Sequence, residues 1–370
     1  MKSRNMCVSI FVIAIIVMLG AYSCGKKGAP GLMTPEAGVP GETKKVFSFA
    51  VEPKFDACLP YSEGMAGVFI DGRWGFIDKT GVMVVPPTYS DAAPFHDGMA
   101  AVEMDNKWGF IDKTGTVVVS PRYIYPYRQG PPYRFSEGLA AVYTDGMWGY
   151  IDKTGNLAIG ARYNSAGPFT EGLALVNKDG NDVFIDKTGK TIIEPKCTWA
   201  LDFSEGLAAV NVGDKIGFID KTGKTVIGPT FEINKELPSF PPIFSNGLVQ
   251  MRVGEKFGYV DTSGKLVIDA KYDFAGPFSE GLAPVITDSK KSEVGFIDKT
   301  GAMIIDPQFF DAGNFAQGLA AVQVGEKWGF VDKTGAMVIE PQFDLAWGFS
   351  EGLARVKVDR KWGYITNPLP

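Results

Sequence analysis

The chain is 370 residues long and carries 45 Gly and 24 Pro. Together these make nearly a fifth of it, against roughly 12% in an ordinary globular chain, which excludes an architecture of long helices. With 45% apolar residues, 26 Phe, 13 Tyr and 7 Trp, it is too aromatic to remain disordered. The formal charge of −5 and the absence of basic runs in the body disfavour nucleic acid as a partner. A single histidine, His96, removes His–Cys zinc clusters and most nucleophile–base pairs.

Residues 1–23 read as an export signal. Lys2 and Arg4 precede an apolar run from Val8 to Leu19, too short to span a bilayer, which takes about 20 such residues. Cys24 follows a small residue, as in a lipoprotein cleavage box, although Ala21 stands where Leu is usual and Ala-Tyr-Ser also suits ordinary signal cleavage. Lipidation at Cys24 is the favoured reading and free secretion the alternative. Residues 24–45, rich in Gly, Pro and Lys after that cysteine, have the composition of a solvated tether.

From Val46 onward one motif is written nine times. An acidic or amide residue, Gly, then Leu or Met recurs at Glu63, Asp97, Glu137, Glu171, Glu205, Asn246, Glu280, Gln317 and Glu351. It is followed by Trp-Gly-Phe-Ile-Asp-Lys-Thr-Gly or a variant, whose first residues are 74, 108, 148, 182, 216, 257, 294, 328 and 362; five of the eight intervals are 34 residues. Helical repeats share that period, but the local pattern is β. In one unit Leu319–Val324, Lys327–Asp332 and Ala336–Glu340 are short extended runs bounded by Gly, Asp and Pro. Asp-Lys-Thr-Gly suits a type I turn closed by a glycine bulge, the Asp bonding its own backbone.

These motifs resemble the WG-repeat (KWG-repeat) family of bacterial β-rich repeat proteins, over residues 46–370. The resemblance implies a repeat architecture and an exported setting, and brings no catalytic residues with it. The expected fold is all-β: nine tandem three-stranded β-meanders. The segment Phe47–Phe55 matches a third strand, and the chain ends after a second strand at Tyr364. The fragments make one unit, which favours a β-propeller-like closed ring over an open solenoid or superhelical array.

Trp74, Trp108, Trp148, Trp328 and Trp362 alternate at the same repeat position with Asp182, Ile216, Phe257 and Val294; three of these four substitutes are apolar, so the tryptophans are expected to be core residues and not a stacking ladder. The glycine after each is expected to admit a neighbouring strand or ring. The turn aspartates offer one carboxylate apiece, short of the six to eight oxygens calcium needs. Cys58 and Cys197 lie four units apart and are expected to be free thiols.

The departures from the repeat are more informative. Between the second and third units the connector grows by six residues and gathers Arg122, Tyr123, Tyr125, Tyr127, Arg128, Tyr133 and Arg134, a composition suited to recognition. A second enlarged connector carries Phe240 and Phe244 three units later. The reading is of a membrane-tethered, non-enzymatic binding or scaffolding protein of the bacterial envelope that engages a protein or glycan, with no cofactor or metal. A carbohydrate- or peptidoglycan-binding module using exposed aromatics is the alternative. A propeller hydrolase is disfavoured because the acids recur with the repeat instead of clustering.

Overall fold

The computed structural model describes residues 47–126, 134–232 and 241–369. The export signal (1–23), Cys24 and the tether (24–45) lie outside the described residues. The second and third strands of each repeat are apolar along their length: Met99–Met104 and Lys107–Asp112, for example, are buried at four successive positions each. Alternation would leave one face for water, whereas continuous burial means that both faces are covered. The sheets therefore stand face against face. The following strand, Val117–Tyr123, is buried only at Val119 and Tyr123, which marks it as the outer strand of its sheet.

The result is nine small antiparallel sheets set in a ring, a nine-bladed β-propeller. Blade 2 shows the pattern: an inner strand Asp91–Ala92, then Met99–Met104, Lys107–Asp112 and Val117–Tyr123 in simple up-and-down order. The meander is thus four-stranded where three strands were expected. The extra strand escapes notice because it is only two residues long in most blades, pairing as Asp91↔Glu103 and Ala92↔Val102 before the chain bulges towards an isolated His96↔Met99 bridge. Blade 6 shows three strands among the described residues.

The ring closes as the offset repeat frame implies. Phe49–Phe55, from the beginning of the described chain, forms the outer strand of blade 9 by pairing with Lys361–Thr366, with Phe49 opposite Ile365, Val51 opposite Tyr364 and Phe55 opposite Trp362. Pro53, Pro121, Pro229, Pro307 and Pro341 all fall in outer strands. Proline is tolerated there because one edge has no ladder to feed, and it blunts that edge against further pairing.

Three turn chemistries fix the blades. The Glu-Gly turn after the inner strand has both central residues at positive φ, as in Glu63 (54°) and Gly64 (85°); this is the dihedral signature of a type I′ hairpin turn, which matches strand twist. The next turn repeats the device with Asp71 (52°) and Gly72 (78°). The Asp-Lys-Thr-Gly turn has the expected bulge: Asp112 Oδ1 accepts from Thr114 N, Thr114 Oγ1 and Thr116 N at 2.6–3.0 Å, and Gly115 N donates to the Asp112 carbonyl. These donors hold the Asp112 carboxyl below its usual range, with the Thr114 hydroxyl contributing most.

The glycine after each Trp is required by close approach. A Cβ on Gly109 would lie 2.4 Å from the Val119 carbonyl oxygen and 2.7 Å from Pro121 N, and one on Gly363 would lie 2.6 Å from the Val51 oxygen. The chain-terminal strand thus nests into blade 9 as outer strands nest elsewhere. Trp108 and Trp148 are buried, whereas Trp74, Trp328 and Trp362 are half-buried on the blade flanks. The expectation of core tryptophans therefore holds fully for two sites and in part for three. Cys58 is a buried free thiol and Cys197 a half-buried one.

Candidate functional site

Neighbouring blades are joined by a repeated set of contacts, and these account for most of the charged residues that recur in the sequence. The aromatic residue two before each Glu-Gly pair reaches back to the aromatic of the preceding blade's Trp-Gly-Phe strand. Phe76–Phe95, Phe110–Phe135 and their counterparts make nine edge-on or tilted pairs with centroids 4.7–5.0 Å apart, the last being Tyr61–Tyr364 across the closure. Such pairs add about 0.5–1.5 kcal/mol each beyond area burial.

The recurring carboxylate forms a clasp to the next blade. Glu63 accepts from Gly98 N at 2.8 Å and Glu205 from Gly247 N at 2.8 Å. Glu351 closes the circle on Gly64 N, also at 2.8 Å. The lysine of the next blade's Asp-Lys-Thr-Gly turn adds an ion pair at several seams, including Lys113–Glu63 (3.3 Å), Lys221–Glu171 (2.9 Å) and Lys79–Glu351 (3.0 Å). Burial raises the carboxyl of Glu171, but Lys221 and the Gly206 N–H outweigh it and leave the group below its usual range. Gln317 keeps the neutral version of the bond, from Gly352 N at 2.8 Å. Sequence reasoning found these acids but not their use, although their place at the head of every repeat was the available signal.

Against this frame the enlarged connector resolves into two classes of residue. Tyr123 does not belong to an exposed loop: it is the last residue of the blade 2 outer strand, opposite Trp108, and only 5% exposed. Arg122 lies over its ring, donates to Tyr123 Oη at 2.9 Å and to the Gly155 carbonyl at 2.6 Å. Arg162 does the same with Tyr163 and Gly189 one blade on, so Arg122 and Tyr123 form a structural pair that recurs in the repeat. Comparison with Tyr89 and Tyr163 at the same register shows why Tyr123 is buried. Tyr125 packs edge-on against Trp148, with centroids 6.0 Å apart.

Arg134 is exposed and stands at the start of blade 3, next to Phe135. Its charge lowers the pKa of His96, where burial is the larger cause. It also opposes the burial that pushes the Asp202 carboxyl up to about 6. Tyr127, Arg128 and Tyr133 lie outside the described residues, as does Phe240 of the second connector; Phe244 is buried. A cleft of about 410 Å³ opens beside the first connector, lined by Arg122, Tyr123, Thr144, Asp145, Gly155 and Leu157. Up-and-down order places every outer-strand-to-inner-strand connector at the end of the blades that also carries the Asp71-Gly72-type turns. Both enlarged connectors therefore emerge at the same end of their blades.

The fold is shared with proteins of very different sequence. The chain superposes on a crystal structure of the eukaryotic initiation factor with a TM-score of 0.55 at 10% identity, covering 85% of this chain and 90% of that one. Looser matches are an extracellular domain of a putative one-component system from B. thetaiotaomicron (TM-score 0.34, 11% identity, 84% of this chain and 52% of that) and PorZ, a bacterial surface component of the type-IX secretion system of Porphyromonas gingivalis (TM-score 0.29, 10% identity, 85% and 53%). No curated protein matches the chain. The family described as "WG containing repeat" matches nine segments: 47–74, 74–108, 108–125, 148–181, 184–215, 216–232, 257–290, 295–328 and 328–362. With most of the ring so covered and every blade built on the motif, the chain belongs to the WG-repeat family.

Proposed function

We propose that this protein is an exported, non-enzymatic binding or scaffolding protein, tethered to a membrane through a lipid on Cys24, that holds an envelope protein or glycan at the face bearing its two enlarged connectors. The observation that carries the reading is how its repeated charges are used. The clasp carboxylates, turn aspartates and several turn lysines are engaged in holding blades together or shaping hairpins. What remains distinctive is the pair of connectors that exceed the repeat at one end of a rigid ring, and loops on a rigid scaffold are where recognition is usually built. Among the described residues no three His, Cys, Asp or Glu side chains gather as a metal cluster would.

The anchor is tested by Cys24→Ala, which should move the protein from the membrane fraction to the soluble one; a variant that stays with the membrane refutes the anchor. Partner capture from envelope extracts tests the face. Replacing Tyr127, Arg128 and Tyr133 by Ser together should lower capture at least about tenfold, with a melting curve of the variant run alongside to show that it is folded. Unchanged capture would remove the first connector from the interface. The alternative of a sugar-binding module predicts retention on a peptidoglycan column, which the same variants would weaken.

A further inference from the structure

Blade 4 departs from the repeat in a way that leaves a space. In the other blades the residue at the Trp position faces an aromatic at the end of the outer strand: Trp74 opposite Tyr89, Trp148 opposite Tyr163, Ile216 opposite Phe231, Phe257 opposite Tyr272. Blade 4 has Asp182 and Cys197 at those two positions. Its outer strand ends at Ile193 after three residues, and the last pair it makes towards the Trp position is Phe184↔Ile193. With no ring at either position, the segment 194–198 leaves the sheet and a cleft of about 540 Å³ opens between it and the hairpin turns of blades 4 and 5.

The lining of this cleft combines apolar walls with one oriented charge. Val183, Pro195 and Val212 line it together with Cys197. The Asp182 carboxylate is half-buried; one oxygen accepts from Asn177 Nδ2 at 2.9 Å and the other from Ala200 N at 3.1 Å. A carboxylate has about four acceptor sites, so two remain after these bonds fix its orientation. Lys178 and Lys196 line the cleft with Asp179 and Glu194 as well as Asp182, leaving one negative charge in excess. The Cys197 thiol is pushed up to about 12 by burial and by the Asp182 charge, so it stays a protonated, polarisable wall.

We propose that the blade 4 cleft is a binding site for a compact organic cation with an aromatic body, whose ring takes the place of the missing aromatic pair and whose ammonium meets Asp182. The volume falls within the range of small-molecule sites, and such sites pair apolar walls with a few placed polar groups. An anion of the same shape would meet the Asp182 charge and be rejected. The cleft opens at the same end of the blades as the enlarged connectors but two blades from the Tyr/Arg connector and lined by none of its residues, so a small probe reads it separately from partner capture.

Titration calorimetry of the full-length protein with tryptamine tests this, with indole-3-acetate as the probe of equal ring and opposite charge. Tryptamine should bind saturably with a Kd of about 1 mM or tighter, the affinity expected for a ligand of its size, and indole-3-acetate at least about tenfold more weakly. Asp182→Asn should weaken tryptamine about tenfold or more, the loss expected for a charge-assisted hydrogen bond. Cys197→Tyr refills the cleft without touching the carboxylate and should abolish binding; it decides the question if Asp182→Asn does not fold. The Tyr127, Arg128 and Tyr133 variant should bind tryptamine as the parent does. The proposal is overturned if the parent shows no saturable binding, if the two probes bind alike, or if Cys197→Tyr binds tryptamine unchanged.

Discussion

Gly363→Ala tests whether the ring is closed by fitted packing of its terminal strand. The added methyl would sit 2.6 Å from the Val51 carbonyl oxygen, 2.7 Å from Pro53 N and 2.9 Å from the Glu52 carbonyl carbon. An ordinary carbon contact is about 3.5 Å, so the two backbones must part by roughly 0.9 Å, and every clashing atom is main chain with no side chain to swing aside. Two responses compete. The strand can shift and stay paired, at the roughly 1–3 kcal/mol typical of overpacking. Alternatively Phe49–Phe55 can detach, exposing Val51 and Phe55, which are 5% and 1% accessible, at about 1.5–3 kcal/mol each and with the ladder bonds lost as well. The shift costs less, so the ring should stay closed. Urea denaturation should show a loss of about 1–3 kcal/mol, with hydrogen exchange quickened in residues 49–55 and little changed elsewhere. Gly160→Ala is the control: nothing lies within 4 Å of its added methyl, and the effect should stay within about 0.5 kcal/mol. If Gly363→Ala is as harmless as Gly160→Ala, the terminal strand does not nest in blade 9.

Trp108→Ala should destabilise by about 3–5 kcal/mol, the range for deleting a buried large aromatic, and Trp74→Ala by less because Trp74 is half-buried; equal losses in calorimetric melts would refute that difference. Asp78, Asp112, Asp152, Asp186, Asp220, Asp261 and Asp298 have folded-state pKa values lowered chiefly by the turn hydroxyl. Their stabilisation is therefore present above the ordinary carboxylate range and lost as pH falls below about 4, which acid melts will show as a falling Tm. Asp202, raised to about 6 by burial, has the opposite sign: stability gains as pH falls from 7 towards 5, and Asp202→Asn should erase that rise. Cys58, pushed up to about 11 by burial, should resist iodoacetamide at pH 8 in the folded protein and react once urea unfolds it; labelling without urea would contradict its buried position.

Much of this architecture was legible because the repeat supplies its own controls. Seven copies of Asp-Lys-Thr-Gly and the variant Asp-Thr-Ser-Gly at Asp261 point to one hairpin chemistry, the glycine after Trp marks a close backbone approach, and Phe47–Phe55 supplies the outer strand missing after Tyr364. The inner strand was hidden because two paired residues followed by a bulge leave no alternation to read. The clasp was hidden for a different reason: it joins Glu63 to Gly98 across |i−j| = 35, and no local pattern reports a contact between successive units. At the connector, composition groups residues that the register divides. Arg122 and Tyr123 look like part of a cluster with Tyr125 and Arg134, yet register assigns them to the preceding blade, where Arg162 and Tyr163 show the same stacking. The blade 4 cleft was visible only as a departure at Asp182 and Cys197, and it took the peeling of one strand to turn two substitutions into a space.

Closure of the ring by its two ends also sets an order of events during synthesis. Ser48 bonds Thr366 across |i−j| = 318, so the first strand of the described chain pairs with its last. Eight blades can form as the chain emerges in order, but Phe49–Phe55 has no sheet to join until Lys361–Thr366 has emerged. Contacts of such separation are slow to form, and throughout that wait an apolar strand with two open edges is available to any other chain. Its sequence, Phe-Ala-Val-Glu-Pro-Lys-Phe, places a charge, a proline and a second charge between its buried residues, which is how natural strands are guarded against pairing too early. The segment that completes the ring thus carries its own protection for the longest interval any part of the described chain spends alone.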